Sequence, residues 1–211
     1  MVSKRTALWG LPLLVYLVFA FWYTGGGPLT IKEIDDFTAR MRATGTPEQR
    51  IAFLRKFMEE DSGRQLIMLN NVDKAESPPN VEGAEPGESA SQLMGRYMEH
   101  MWPAMLSRAS HPVYSGKVVF QSLDILGIEN VESWDSAGLV RYRSRRDLME
   151  IATDPIFESM HDFKVAALDK TFVYPVEGDI NYSDLRFVLA LVLFSLVSLL
   201  DLLLYRRGVS N

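Results

Sequence analysis

A chain of 211 residues has room for one sizeable domain with additions, and its lack of cysteine excludes disulfides, thiolate metal sites and cysteine nucleophiles. Five of the 22 basic residues but only one of the 27 acidic residues lie outside the stretch from 24 to 185, which leaves that stretch near −9 and excludes nucleic acid as its partner. Mean hydropathy is near zero, and the apolar excess sits at the two ends.

Ala7 to Tyr23 reads ALWGLPLLVYLVFAFWY, seventeen residues without a charge, and Phe187 to Tyr205 carries one charge, Asp201. A helix needs about 20 apolar residues to cross a bilayer, so both segments read as transmembrane helices. Trp9, Trp22, Tyr23 and Tyr205 suit the interfacial belts. The first segment is bulky to its end and lacks an A-x-A-like cleavage site, so it reads as an anchor rather than a signal peptide. Lys4 and Arg5 precede the first span, and Arg206 and Arg207 follow the second. Positive charge stays inside, so both termini are expected in the cytoplasm of a bacterial-type inner membrane, with the central domain periplasmic. Asp201 is expected to reach water or pair with Arg206.

The central part opens with TGGGPLT, a flexible joint. Ile31, Ile34, Phe37 and Met41 recur at helical spacing over Thr30 to Ala43. A second helix starts at Thr46 with a T-x-x-Q capping box closed by Gln49 and ends near Asp61–Gly63. Arg64 to Val72 reads as a buried strand, followed by an exposed loop rich in Pro, Gly and Glu. A long helix from Glu88 to Ala109 carries Met94, Tyr97, Met98, Met101 and Met105 on one face, with a bend at Pro103. A strand over Gly116 to Leu126, a hairpin-like turn over Gly127 to Asp135 and a strand over Ser136 to Ser144 follow. Ser144 caps the next helix, with Asp147 at the capping-box position, and Asp154-Pro155 breaks it before Pro155 to Asp169. Thr171 to Val176 is the last strand.

The order β-α-β-β-α-β predicts an α+β, ferredoxin-like domain flanked by two transmembrane helices. Its segments are 1–24, 25–63, 64–178, 185–205 and a cytoplasmic tail at 206–211. Both helices lie on one face of an antiparallel sheet, and a second copy of the sheet is the expected cover for the other face. A homodimer follows.

LIMLNNV, YMEHMWPAM, GLVRYRSRRDLMEIATDPIFESMH and AALDKT resemble the dimeric α/β-barrel superfamily, and most of all its EthD-like members of unknown function. The resemblance covers Arg64 to Val176. It implies kinship with small monooxygenases, isomerases, haem-handling enzymes and domains without known activity.

Three histidines are present, with no H-E-x-x-H and no helical metal pair, so no metal site is expected. His161 and His100 are the residues suited to general acid or base work, and His111, in a turn, reads as structural. No cofactor motif occurs; haem enters through the resemblance, which makes His161 the histidine to ligate iron. Arg141 and Arg143 share a sheet face and can bind a carboxylate bidentately. Arg145 and Arg146 read as surface partners of Glu150 or Asp147. Asn70, Tyr97, Trp102 and Tyr142 line a pocket or serve as core with a satisfied polar tip.

Two functions fit. One is an extracytoplasmic ligand-binding or accessory module of a membrane complex. The other is a small dimeric enzyme, monooxygenase- or isomerase-like, acting on an apolar small molecule.

Overall fold

The computed structural model describes residues 3–178 and 184–205. Arg206, Arg207 and the expected tail at 206–211 lie outside the described residues. The chain forms two units, Gly25–Gly178 and a second built from the terminal segments up to Thr24 and from Asp179.

The terminal unit pairs α1 (Lys4–Tyr23) with α7 (Leu185–Tyr205). Their 20 and 21 residues, with mean hydropathies of 1.6 and 2.7, are long and apolar enough to cross a membrane. Trp9 meets Phe194 edge-on at 6.1 Å. Asp201 takes two hydrogen bonds from Arg5 of the other helix, at 2.8 and 2.7 Å, and the pairing expected with Arg206 lies outside the described residues.

The central unit runs α2 (Ile31–Ala43), α3 (Glu48–Glu59), β1 (Leu66–Lys74), α4 (Ala90–Leu106), β2 (His111–Lys117), β3 (Ser136–Tyr142), α5 (Arg145–Ala152), α6 (Pro155–Ala166) and β4 (Leu168–Val176). The strands form an antiparallel sheet in the order β2-β3-β1-β4, each crossover skipping one strand. That is the split β-α-β topology of ferredoxin-like domains. Capping fixes the helix starts. Thr30 and Glu33 close a capping box on α2, Ser89 and Gln92 close one on α4, and Ser144 caps α5 through the Asp147 amide. Asp154 caps α6, with Pro155 at its first position. The box expected at Thr46 does not form. Pro47 precedes α3 instead, with no side-chain cap.

Strand alternation sorts the core. Leu66, Met68, Val140 and Tyr142 face α4 and α6, where they pack with Leu93, Tyr97, Met101, Met105 and Phe163. Each such side chain contributes about 1.5–3 kcal/mol by leaving water. The opposite face carries a row across all four strands: Tyr114 opposite Leu139, Leu139 opposite Leu69, and Leu69 opposite Tyr174. A second cluster joins Leu29, the α2–α3 hairpin and Met149 of α5, and Phe57 packs against both clusters.

Two expectations need correcting here. The second strand is His111–Lys117, not Gly116 to Leu126. Pro112 removes a donor, which an edge strand tolerates, and β2 is an edge strand. The apolar run after Lys117 points outward, with Val119, Leu123 and Leu126 each more than nine-tenths exposed. The glycine joint is packed rather than free: a Cβ on Gly25 would lie 2.9 Å from the Arg143 carbonyl oxygen. Glycine is needed there for close approach.

Candidate functional site

Phe157, His161 and Lys164 recur at i, i+4 and i+7, so α6 presents them on one face. Helix α4 meets that face with Tyr97. The Tyr97 ring lies edge-on to Phe157 at 5.9 Å and to His161 at 6.2 Å, and Phe157 and His161 are 5.5 Å apart. The Lys164 ammonium sits 5.6 Å from the centre of the Tyr97 ring. Tyr142 of β3 belongs to the same core cluster and, like Tyr97, is 7% exposed.

Burial sets the protonation states. It pushes the Tyr142 hydroxyl up to about 12 and the Tyr97 hydroxyl further, with a smaller contribution from Tyr142, so both remain proton donors. Burial pulls the Lys164 amine down. It also pulls His161 down, helped by the Lys164 charge and opposed by Asp162. The imidazole is therefore neutral at neutral pH. Its Nδ1 is buried and has no hydrogen-bond partner in the protein. The cluster thus presents two phenols, an imidazole nitrogen and an amine among aromatic and methionine side chains.

The structure brings together Tyr97, Tyr142 and His161 from the expected set. His100 is half-buried on α4, three residues beyond Tyr97, and joins none of these ring contacts. The Asn70 amide turns back to the Met68 carbonyl at 2.9 Å. Trp102 is 41% exposed and stands outside the cluster. Lys164 and Phe157 were not expected as site residues, although their helical spacing from His161 is visible in the sequence. The Tyr97 and Phe157 rings flank the His161 ring at 6.2 and 5.5 Å, and its Nδ1 is buried.

The four arginines of the β3–α5 junction hold the fold. Arg141, 1% exposed, donates to the Gln65 side chain at 2.6 Å and to the Ala109 carbonyl at 2.5 Å. Ala109 has a φ of 51°, a left-handed conformation that costs a non-glycine residue energy. Arg141 secures that turn. Arg143 grips the buried Asp147 carboxylate at 2.9 and 2.5 Å. The donors expected to take a ligand carboxylate therefore serve protein groups. Arg145 and Arg146 are not surface partners of Glu150 or Asp147. Arg145 lies over the Phe57 ring at 4.6 Å, donates to the Phe57 carbonyl, and pairs with Asp61 at 3.6 Å and Glu177 at 3.2 Å. Arg146 binds Glu33 at 2.6 Å and the Pro28 carbonyl at 3.1 Å. Glu150 pairs instead with Arg108. Together these contacts dock α2 and α3 onto the sheet domain.

The sheet order and the placement of α4 and α6 define the class: a ferredoxin-like α+β domain. No protein-family model matches the chain, and no curated protein matches it. Among solved structures it is similar to a protein of unknown function from Rhodopseudomonas palustris, at 18% identity and a TM-score of 0.51 over 62% of this chain and 94% of that one. The methylated form of that protein aligns at 18% identity and 0.52, over 63% and 93%. These matches share the fold. A dimeric protein of unknown function and ferredoxin-like fold from Bacteroides fragilis aligns at 14% identity and 0.32 over 54% and 96%, too loosely for its assembly to bear on this chain.

Proposed function

We propose that this chain is a membrane-anchored, extracytoplasmic ligand-binding module of the dimeric α/β-barrel type, nearest in pattern to the EthD-like proteins. It works as a homodimer or as a subunit of a membrane complex. Its ligand is a small, mainly apolar molecule with one polar group, taken at the α4–α6 cluster. The observation that carries the reading is the buried, unpartnered Nδ1 of His161 beside Tyr97 and Phe157. Leaving such a group unpaired costs about 1–3 kcal/mol, and a ligand hydrogen bond offsets that cost.

The Arg5–Asp201 pair supports the topology. It joins the start of α1 to the end of α7, as two antiparallel spans with both termini on one side require. The apolar row whose ends, Tyr114 and Tyr174, are exposed supports the dimer, because an antiparallel sheet with a partly uncovered apolar face gains from a second copy.

The test is purification of the full chain in mild detergent, followed by mass spectrometry of the small molecules retained. A compound held by the wild type and lost from His161→Phe is expected. Equal retention, or none in either, would overturn the reading.

One observation favours a second, enzymatic reading. A neutral histidine with a free buried nitrogen beside a phenol is suited to proton transfer, as in an isomerase- or monooxygenase-like reaction. Turnover of the retained compound, abolished in His161→Gln with binding intact, would establish it.

A further inference from the structure

Eighteen residues separate β2 from β3, where a hairpin ordinarily uses two to five. Long connections of this kind in compact domains are mostly functional. This one is built as an arm. Its base is pinned: the Val118 amide donates to the Asp135 carbonyl at 2.9 Å, and the Asp135 amide donates to Val72 at 2.9 Å. Halfway along, the Ser122 amide donates to Glu132 at 2.8 Å and the Ser122 hydroxyl donates to Val131 at 2.6 Å. Lys170 of β4 donates to the Asn130 carbonyl at 3.0 Å and lies 5.0 Å from the Trp134 ring centre. Gly127 and Asn130, at φ of 72° and 59°, turn the tip.

The pinned arm holds its apolar side chains away from the protein. Val119 is 92% exposed, Phe120 73%, Leu123 91%, Leu126 92% and Ile128 55%. By alternation Lys170 belongs to the same sheet face as Phe172 and Tyr174, so the arm and the bare face adjoin. Phe172 is 49% exposed, Tyr174 38% and Tyr114 57%. With about 200 Å² for a full side chain, these eight expose roughly 1,000 Å². The largest apolar patch on a monomer is about 300–600 Å², and a stable interface takes about 800 Å² from each partner.

We infer that the arm Val119–Ile128 is a dimerisation clasp that lies against a second copy of this chain. The inference rests on the homodimer in the function proposed above and adds the element that secures it. The area fits a standard two-fold interface, and the arm supplies most of it. Charge disfavours the other occupant, a lipid surface. Residues 118–135 carry Asp124, Glu129, Glu132 and Asp135 and no lysine or arginine, whereas segments that lie on bilayers are basic.

The full chain in mild detergent is measured by native mass spectrometry and light scattering. The wild type is expected as a dimer, and Leu123→Glu with Leu126→Glu is expected to weaken it by about thirtyfold or more with an unchanged melting temperature. Because the chain has no cysteine, Leu126→Cys carries a single benzophenone maleimide, which should yield a cross-linked dimer on illumination. If the double variant stays dimeric while Tyr174→Glu dissociates, the clasp is wrong and the dimer stands. If the wild type is monomeric at every concentration, both fall. If Leu123→Trp in nanodiscs is quenched by brominated lipid, the arm belongs to the membrane and the clasp is overturned.

Discussion

Arg5 at the start of α1 grips Asp201, four residues from the end of α7, with two hydrogen bonds of 2.8 and 2.7 Å. The Asp201 side chain is 15% exposed. This pair sets the register of the two apolar helices. Asp201→Leu is expected to lower the yield of cross-links engineered between α1 and α7, and the swap Arg5→Asp with Asp201→Arg to restore part of it. Equal yields in all three would show that aromatic packing alone sets the register.

The same pairing brings the start of α1 beside the end of α7, and the proposed topology places both in the cytoplasm. A reporter fused after Asn211 is expected to be active only if it functions in the cytoplasm. A reporter active only outside would reverse the topology.

Arg145 contributes more to stability than its place in a turn suggests. Its removal leaves the Asp61 carboxylate, whose side chain is 1% exposed, without the cation paired to it at 3.6 Å, and removes the cation over Phe57 of α3. Arg145→Ala is expected to cost about 2–4 kcal/mol. In a domain of this size each kcal/mol lowers the melting midpoint by about 2–4 °C. A loss below about 0.5 kcal/mol would mean that α3 docks by its apolar face alone.

Glu33 makes the docking of α2 sensitive to pH. Arg146, and then the Thr30 amide, hold its carboxyl down at about 2. A carboxyl depressed in the folded state stabilises at pH above its unfolded value, and that stability is lost as pH falls through the folded value. The window is therefore from about pH 5 to about pH 2. The carboxylate is 34% exposed, so solvent screening leaves about 1 kcal/mol. The urea midpoint should fall across this window more steeply in the wild type than in Glu33→Gln.

His161 should titrate below the ordinary histidine range, because burial and the Lys164 charge disfavour its cation. Neutral His161 contributes stability that is present above the unfolded value, near 6.5, and is lost as pH falls through the lower folded value. Nuclear magnetic resonance of the ring protons reads that value directly, and Lys164→Met should raise it by removing a like charge. A titration at or above the ordinary value would mean that the ring is solvated, and the binding site proposed at α4–α6 would lose its main support.

Local pattern alone carries the two long apolar helices, the β-α-β-β-α-β order, the cap at Ser144, the break at Asp154-Pro155, and the α4 face that holds Tyr97. These depend on periodicity, capping and turn chemistry, which act over a few residues. It also pointed to His161 and Tyr142. Tertiary structure decided where the arginines reach, since their partners Gln65, Asp61 and Glu33 come from distant parts of the chain. It decided that Lys164 and Phe157 join His161 and Tyr97, because that meeting depends on how α6 packs on α4. And it turned most of an apolar run that reads as a strand into an exposed arm. Local pattern records how apolar a segment is, whereas only the packed fold shows whether a strand is there to pair with it.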